Sequence, residues 1–175
     1  DQVYPAGWYA AWVASGSMHQ TRSGRIIAVA GTRKTSSGTL TNNMIYSNDG
    51  GYTWGIETNS PNTSGGDETK IIELNDGTYH MNHRDQFKSG NYRRISTSSD
   101  QGVTWTTSVQ ETQLIDPGVN ADIIRYTSIK DGFNKDRILF SNPKHPDLRE
   151  NLHVYLSTDE TVTWPTTNSK QICYL

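Results

Sequence analysis

Apolar residues along the chain occur in short runs separated by polar, turn-forming stretches. Each run is rich in β-branched and aromatic residues and is bounded by Gly, Asn, Asp or Pro, which is typical of strands. No apolar period of 3.6 residues persists, so the pattern does not favour long helices. It predicts an all-β protein. The runs are RIIAVAG (25–31), NNMIYS (42–47), KIIEL (70–74), TYHMNHR (78–84), YRRISTS (92–98), ADIIRYTS (121–128), RILFSN (137–142) and NLHVYLS (151–157).

A polar sequence that ends in tryptophan occurs three times between these runs. The copies are SNDGGYTW (47–54), SSDQGVTW (98–105) and the degenerate STDETVTW (157–164). Strand-like runs precede each copy and one more extended segment follows it. Successive copies begin 51 and 59 residues apart. A repeat of this length indicates a β-propeller, in which each repeat forms one blade of four antiparallel strands.

The repeats define about three blades, at 17–61, 66–115 and 118–175. Residues 1–16 are expected to supply the last strand of a preceding blade, and all 175 residues are assigned to one propeller domain. We therefore interpret the chain as a piece of a longer protein. Such a piece leaves the ring open with bare sheet edges. We therefore expect it, when isolated, to aggregate or stay molten and to be inactive.

The repeated sequence is best explained as a structural turn. An Asp side chain can accept backbone hydrogen bonds, Gly permits a positive φ, and Trp can fill the seam between blades. Each copy offers one or two carboxylates, too few for a Ca²⁺ site. Thr161 replaces the glycine in the third copy, which predicts a strained or altered turn. The recurring residues are Ser47, Asp49, Gly51 and Trp54; Ser98, Asp100, Gly102 and Trp105; and Ser157, Asp159 and Trp164.

Four polar residues are predicted to meet on the face away from these turns. Antiparallel strands alternate direction, so the opposite face receives the other loops and the links between blades. A hairpin loop at 75–77 would place Glu68 opposite Arg84. Asn120 falls in a link between blades, and Arg149 falls in a loop of the third blade. Loops held by rigid sheets commonly carry function, so this face predicts a site for a polar ligand.

Composition narrows the possible classes of function. The net charge of −2 provides no basic field for nucleic acid. No apolar run approaches the ~20 residues of a membrane-spanning helix. Cys173 is the single cysteine, which excludes an internal disulfide and a CxxC metal or redox site.

The motifs together resemble those of the sialidases (neuraminidases), glycosidases with Asp-box repeats on a six-bladed propeller. The resemblance rests on the three boxes, on GDETKIIELNDGTYHMNHR (66–84) and on LFSNPKHPDLRENLHVYLS (139–157). It extends over nearly the whole chain.

The resemblance implies a role for each residue of the predicted site. Arg84 and Arg149 match the second and third of three arginines that bind the sugar carboxylate, and Glu68 matches the base that assists a tyrosine nucleophile. Asn120 is implied as a substrate contact. The first arginine, the Asp acid/base and the nucleophile would lie outside this chain. Tyr174 is interpreted as a packing residue, because Leu175 follows it where the family usually has Ser.

The resemblance implies an exo-α-sialidase that cleaves terminal sialic acids from glycoconjugates with retention. It implies no metal or organic cofactor. The glycoconjugate substrates that it implies favour a secreted or cell-surface location. The net charge, as noted above, gives no reason to expect a nucleic-acid partner. Two alternatives remain open. One is a non-catalytic Asp-box propeller that binds a glycan or a protein. The other is a trans-sialidase, which differs in how it binds the acceptor.

Simpler interpretations stand beside these roles. Glu68 could be a solvated residue, and Arg84 could pair with Asp85 or Glu68. Arg149 could be an exposed loop charge beside Glu150.

Other charged residues are assigned to the scaffold. Arg93 and Arg94 are adjacent on a strand and so face opposite ways, and both are expected on the surface. His80 and His83 should also face opposite ways, which disfavours a shared metal. His145 could contact substrate, or the PKHPD sequence around it could form a rigid turn.

Overall fold

The structure, a computed structural model, describes residues 7–13, 16–61 and 66–173. These residues form three antiparallel sheets, with short 3-10 helices at Ile129–Asp131 and Thr166–Asn168. In this part of the chain no helix has the length and apolar character needed to cross a membrane. The prediction of an all-β fold with propeller-type blades is confirmed.

The first blade contains β1 (Ala10–Val13), β2 (His19–Gln20), β3 (Ile26–Arg33), β4 (Thr41–Ser47) and β5 (Gly55–Ile56). Both β1 and β2 pair antiparallel with β3, and the order continues through β4 to β5. Residues 10–13 therefore belong to this blade, whereas the sequence pattern assigned them to a preceding one. The pairing was hidden because two short strands, β1 and β2, pair with successive parts of β3 in place of one continuous strand.

The second blade has the order β6 (Gly66–Glu73), β7 (Tyr79–Asp85), β8 (Tyr92–Ser98) and β9 (Val109–Ile115). In the β6–β7 hairpin Leu74 N–H donates to the Thr78 carbonyl at 2.8 Å. The predicted hairpin register is thus confirmed from this turn as far as Thr69 and His83.

The third blade has the order β10 (Asp122–Thr127), β11 (Arg137–Pro143), β12 (Leu152–Ser157) and β13 (Lys170–Cys173). Its strands follow the same up-and-down order as those of the second blade. In both blades the box lies between the third and fourth strands.

The Asp-box turn is closed by side-chain hydrogen bonds. In the first copy, Gly51 N–H donates to Ser47 Oγ at 2.8 Å and Thr53 N–H donates to Asp49 Oδ1 at 2.9 Å. Trp54 Nε1 donates to the Gly51 carbonyl at 3.0 Å. The hydrogen bonds from Thr53 are the largest cause of the low pKa of Asp49, about 2. The second copy makes the same set of bonds, so in both copies the side chains of the box close the turn themselves.

The third box keeps this geometry without its glycines. Gly51 and Gly102 have φ of 97° and 92°, and Thr161 occupies the same position at φ 70°. Thr161 N–H still donates to Ser157 Oγ, at 3.1 Å. A β-branched residue is unfavourable in the left-handed region, so we expect this turn to be strained.

The tryptophans of the three Asp boxes lie in apolar clusters. Trp105 packs on residues of both the first and second blades, and Trp164 packs between the second and third, with its ring 5.9 Å from Phe140. Trp54 packs on Ala28, Ala30 and Ile45, which all belong to the first blade. The seam-filling role predicted for Trp105 is therefore observed. Trp54 instead covers an outer face of the first blade in the region that the structure describes.

Two buried histidines lie on opposite faces of β7, as predicted. His83 Nδ1 is 3.2 Å from Asn42 Nδ2 of the first blade, and its Nε2 is 2.6 Å from Ser96 Oγ. His80 Nδ1 is 3.4 Å from Thr161 Oγ1 of the third blade. Burial lowers the pKa of His80 to about 4 and that of His83 to about 3. Both rings are neutral parts of the scaffold.

We expect Thr161→Gly to be more stable than Thr161→Ala by about 1 kcal/mol. Both changes remove the same side-chain contacts, but only glycine relieves the left-handed backbone. Denaturant unfolding of the full-length protein measures the difference. As a control, Gly102→Ala should be destabilising, because a Cβ there would also lie 2.4 Å from Met44 Cε. Equal stability of the two Thr161 variants would show that the turn stores no strain.

The buried histidines also predict a loss of stability in acid. Their folded-state pKa values lie below the ~6.5 of an unfolded chain, so between these values only the unfolded state binds the protons. The unfolding temperature should therefore fall as the pH drops from 7 towards 4. His83→Asn should give a flatter pH dependence. Ser96→Ala removes a partner of His83 but no titrating group, so it should lower the unfolding temperature and leave the slope unchanged. The idea fails if His83→Asn keeps the full slope.

Candidate active site

Glu68 and Arg84 are in direct contact at the end of the β6–β7 hairpin. The register shifts between Gly66 and Thr69, so Glu68 lies in a β-bulge. Glu68 Oε2 is nevertheless 2.6 Å from Arg84 Nη1. The irregularity therefore does not separate the carboxylate from the arginine. This contact matches the predicted pairing of the two residues.

Asp67 is a second acidic partner of Arg84, which sequence reasoning missed. Its Oδ2 lies 3.2 Å from the same Nη1 atom. The sequence indicated this contact only through the position of Asp67 next to Glu68. In a regular strand the side chains alternate between faces, so Asp67 would be expected to point away from Arg84. Asp85, considered as an alternative partner, instead accepts hydrogen bonds from Ser89 and from Phe87 N–H.

Arg84 keeps hydrogen-bonding capacity for a ligand. Its side chain is 20% exposed, and both recorded carboxylate contacts use Nη1. Within the described part of the chain Nη2 has no hydrogen-bond partner, and Nε is buried without one. A guanidinium with an uncommitted edge can form charge-assisted bonds with an incoming anion.

Asn120 lies beside a buried lysine at the edge of a cavity. Lys70 Nζ donates to Asn120 Oδ1 at 3.1 Å. Burial lowers the pKa of Lys70, and the negative charge of Asp122 opposes this shift. The cavity has a volume of about 260 Å³, and Asn120, Asp122 and Ser141 line it. The structure therefore places Asn120 where a polar ligand could reach it.

Arg149 lies in the loop between β11 and β12, and its side chain is exposed. This loop shares a face with the β7–β8 loop, because Lys88 Nζ donates to the Asp147 carbonyl at 3.5 Å. No contact in the described ranges joins Arg149 to Glu68 or Arg84. The structure thus joins Glu68 to Arg84, puts Asn120 in the wall of a neighbouring cavity and exposes Arg149 on a separate loop. Tyr174 lies outside the described residues.

Arg93 is fully buried, so the expectation that it lies on the surface is wrong. Nε donates to Asn82 Oδ1 and Nη1 to the Val119 carbonyl, each at 2.7 Å, and Nη1 is 3.4 Å from Asp116. Arg94 points the other way with a side-chain exposure of 21%. The two side chains point to opposite faces of the strand, as predicted. The face that carries Arg93 is buried because the third blade packs against it.

Asp116 connects this arginine to the link between the second and third blades. Its carboxylate accepts from Gly118 N–H at 2.8 Å, from Val119 N–H at 3.1 Å and from Asn142 Nδ2 at 2.9 Å. Asn142 belongs to β11 of the third blade. The buried pair therefore fixes the segment that leads directly into Asn120.

Comparison with known proteins gives a consistent family. A family model described as "BNR repeat-like domain" matches residues 2–169. A sialidase of Micromonospora viridifaciens is 33% identical over 165 residues, which is 91% of this chain and 25% of the relative. The chain thus spans about a quarter of that relative's length.

Solved structures give the same result. The Hadza microbial sialidase Hz136 is 30% identical with a TM-score of 0.86, over 99% of this chain and 33% of that protein. The intramolecular trans-sialidase from Ruminococcus gnavus is 27% identical with a TM-score of 0.70, over 95% of this chain and 34% of that one.

The two adjacent arginines provide a matched pair for testing the buried network. Arg93→Met should destabilise the protein by about 3 kcal/mol or more, because it leaves the Asp116 carboxylate buried without its counter-charge. Arg94→Met should cost less than about 1 kcal/mol, because its side chain is partly exposed. Denaturant unfolding of the full-length variants measures both. Similar losses from the two changes would refute the special role of Arg93.

Proposed function

The chain belongs to the sialidase-type family of BNR repeat-like propellers, and we propose that the complete protein is an exo-α-sialidase. Its substrates would be terminal α-linked sialic acids on glycoconjugates. The observation that carries the proposal is the 2.6 Å contact between Glu68 Oε2 and Arg84 Nη1 on the face opposite the Asp boxes. Because such substrates are found at cell surfaces, we also propose a secreted or cell-surface location.

The proposed recognition step is capture of the sugar carboxylate by arginines. Nη2 of Arg84 and the exposed guanidinium of Arg149 supply N–H donors from two separate elements. Each can form charge-assisted hydrogen bonds with a carboxylate, which suits an anionic sugar and disfavours a neutral one. Asp67 and Glu68 hold Nη1 of Arg84 and so orient the rest of its fork. Asn120 would contact a neutral polar group of the same sugar.

The proposed chemical step uses Glu68 as a base for a tyrosine from another part of the protein. A neutral phenol, with a pKa near 10, is a weak nucleophile until a nearby carboxylate accepts its proton. The phenolate oxygen would bond to the anomeric carbon as the glycosidic bond breaks. The departing oxygen would take its proton from the Asp acid/base expected elsewhere in the protein. Water would then displace the tyrosine, so that two inversions give net retention. This route needs no metal or organic cofactor.

A second candidate is an intramolecular trans-sialidase, favoured by the similarity to the Ruminococcus gnavus enzyme. The two activities differ in what attacks the glycosyl-enzyme. Water gives free sialic acid, whereas attack by a hydroxyl of the same sugar gives an anhydro product lighter by one water. Mass spectrometry of the released sugar distinguishes them.

Turnover of a fluorogenic α-sialoside by the full-length protein tests the proposal. Glu68→Gln should lower kcat by about 100-fold or more, because an amide cannot accept the proton. Arg149→Ala should raise KM by at least about tenfold, because it removes a carboxylate contact made in both ground and transition states. Glu111→Gln, on β9 of the second blade, is the control and should retain activity.

A folded wild-type protein that neither cleaves the sialoside nor binds sialic acid would contradict the proposal. Binding of sialic acid without turnover by the wild type would favour the non-catalytic propeller instead. Activity unaffected by either site variant would contradict the assigned roles.

A further inference from the structure

The loop that carries Arg149 is organised by the side chain of His145. His145 Nδ1 accepts hydrogen bonds from Asp147 N–H at 3.0 Å and from Leu148 N–H at 2.8 Å. Pro146 has no N–H, so these are the first two backbone donors that follow His145. A side-chain acceptor that binds the N–H groups two and three residues ahead is the arrangement of a helix N-cap. Here an imidazole performs this task within a loop.

The base of the same loop is fixed independently. Lys144 N–H donates to the Asn151 carbonyl at 3.0 Å, and Gln171 Nε2 donates to Asn151 Oδ1 at 2.9 Å. Towards the tip, the described residues add to the bonds of His145 only the long bond from Lys88 Nζ to the Asp147 carbonyl. No further hydrogen bond reaches residues 146–149 from the described parts of the chain. The path of the backbone just before Arg149 therefore depends on His145.

We propose that His145 is a positioning residue for Arg149 and thereby for binding of the substrate carboxylate. This inference rests on the proposed sialidase function. An exposed arginine loses side-chain and backbone freedom when it binds an anion, and a preordered loop reduces that cost. Because Nδ1 accepts two backbone hydrogens, the ring is neutral and carries its proton on Nε2. A neutral acceptor orders the turn without competing with substrate for the Arg149 guanidinium, as a carboxylate would.

The structure thus favours the rigid turn over direct substrate contact through Nδ1, which is fully used by the backbone. It also identifies the replacement that should preserve the role. Asn is a favoured N-cap residue, and its Oδ1 can accept the same two N–H bonds without adding charge. Phe has a ring of similar bulk but no acceptor.

The test uses the full-length protein, a fluorogenic α-sialoside and sialic acid binding as a second readout. His145→Ala and His145→Phe should each raise KM about tenfold with kcat changed less than about twofold. The dissociation constant for sialic acid should rise in parallel. His145→Asn should restore both values to within about twofold of wild type. The unfolding temperature should change little, because the loop base remains bonded.

A double-mutant cycle shows whether the effect passes through Arg149. In an Arg149→Ala background, His145→Ala should cause no further change, because its target is gone. A full tenfold effect that persists in that background would overturn the inference and indicate an independent role for His145. The inference would also be overturned if Arg149→Ala raised KM strongly while His145→Ala left it unchanged. That result would leave the proposed function intact. If neither Arg149→Ala nor Glu68→Gln affects turnover, the proposed function itself fails, and this inference fails with it.

Discussion

The buried ion pair between Arg93 and Asp116 is the constraint around which the second and third blades are arranged. A charge removed from water is tolerated only when it is paired and its remaining hydrogen-bonding groups are satisfied. Burial lowers the pKa of the guanidinium, and Asp116 opposes that shift. Arg93 donates hydrogen bonds to Asn82 Oδ1 and to the Val119 carbonyl. Asp116 accepts hydrogen bonds from Gly118 N–H in the interblade link and from Asn142 of the third blade. Satisfying one buried charge thus fixes the relative position of three segments.

This network also divides the seam between the two blades into an apolar and a polar layer. The aromatic rings of Phe140, Tyr155 and Trp164 pack together on one side, and Arg93 lies 5.9 Å from the ring of Phe140. Arg93 also contacts the polar side chains of Asn82 and Asp116, and the charges of Glu68 and Arg84 act on it. Glu68 and Arg84 belong to paired strands and inherit their rigidity, whereas Arg149 belongs to a loop. In the proposed function, carboxylate capture would therefore combine one arginine held by the sheet with one whose position must be set locally.

The sequence was most informative where the local pattern determines the geometry. The repeated SNDGGYTW-type turns, the register of the β6–β7 hairpin and the contact of Glu68 with Arg84 all follow from spacing and turn chemistry. It was least informative where burial depends on a neighbouring blade. Strand alternation puts Arg93 and Arg94 on opposite faces, but only the packing of the third blade makes one of them a buried charge. The bulge that brings Asp67 to Arg84 is likewise invisible to strict alternation.

The third Asp box shows how the turn geometry can outlast its preferred residues. Both positions of positive φ in this box are occupied by residues with side chains, Glu160 at 58° and Thr161 at 70°. The side chain of Glu160 makes two contacts from this position. Its carboxylate pairs with Arg125 at 3.0 Å and accepts a hydrogen bond from Asn75 N–H at 2.6 Å. A glycine at position 160 would relax the backbone, but it would lose the hydrogen bond to Asn75 in the hairpin of the second blade. The strain of one turn is therefore offset by a tie between blades, on the face that carries no proposed chemistry.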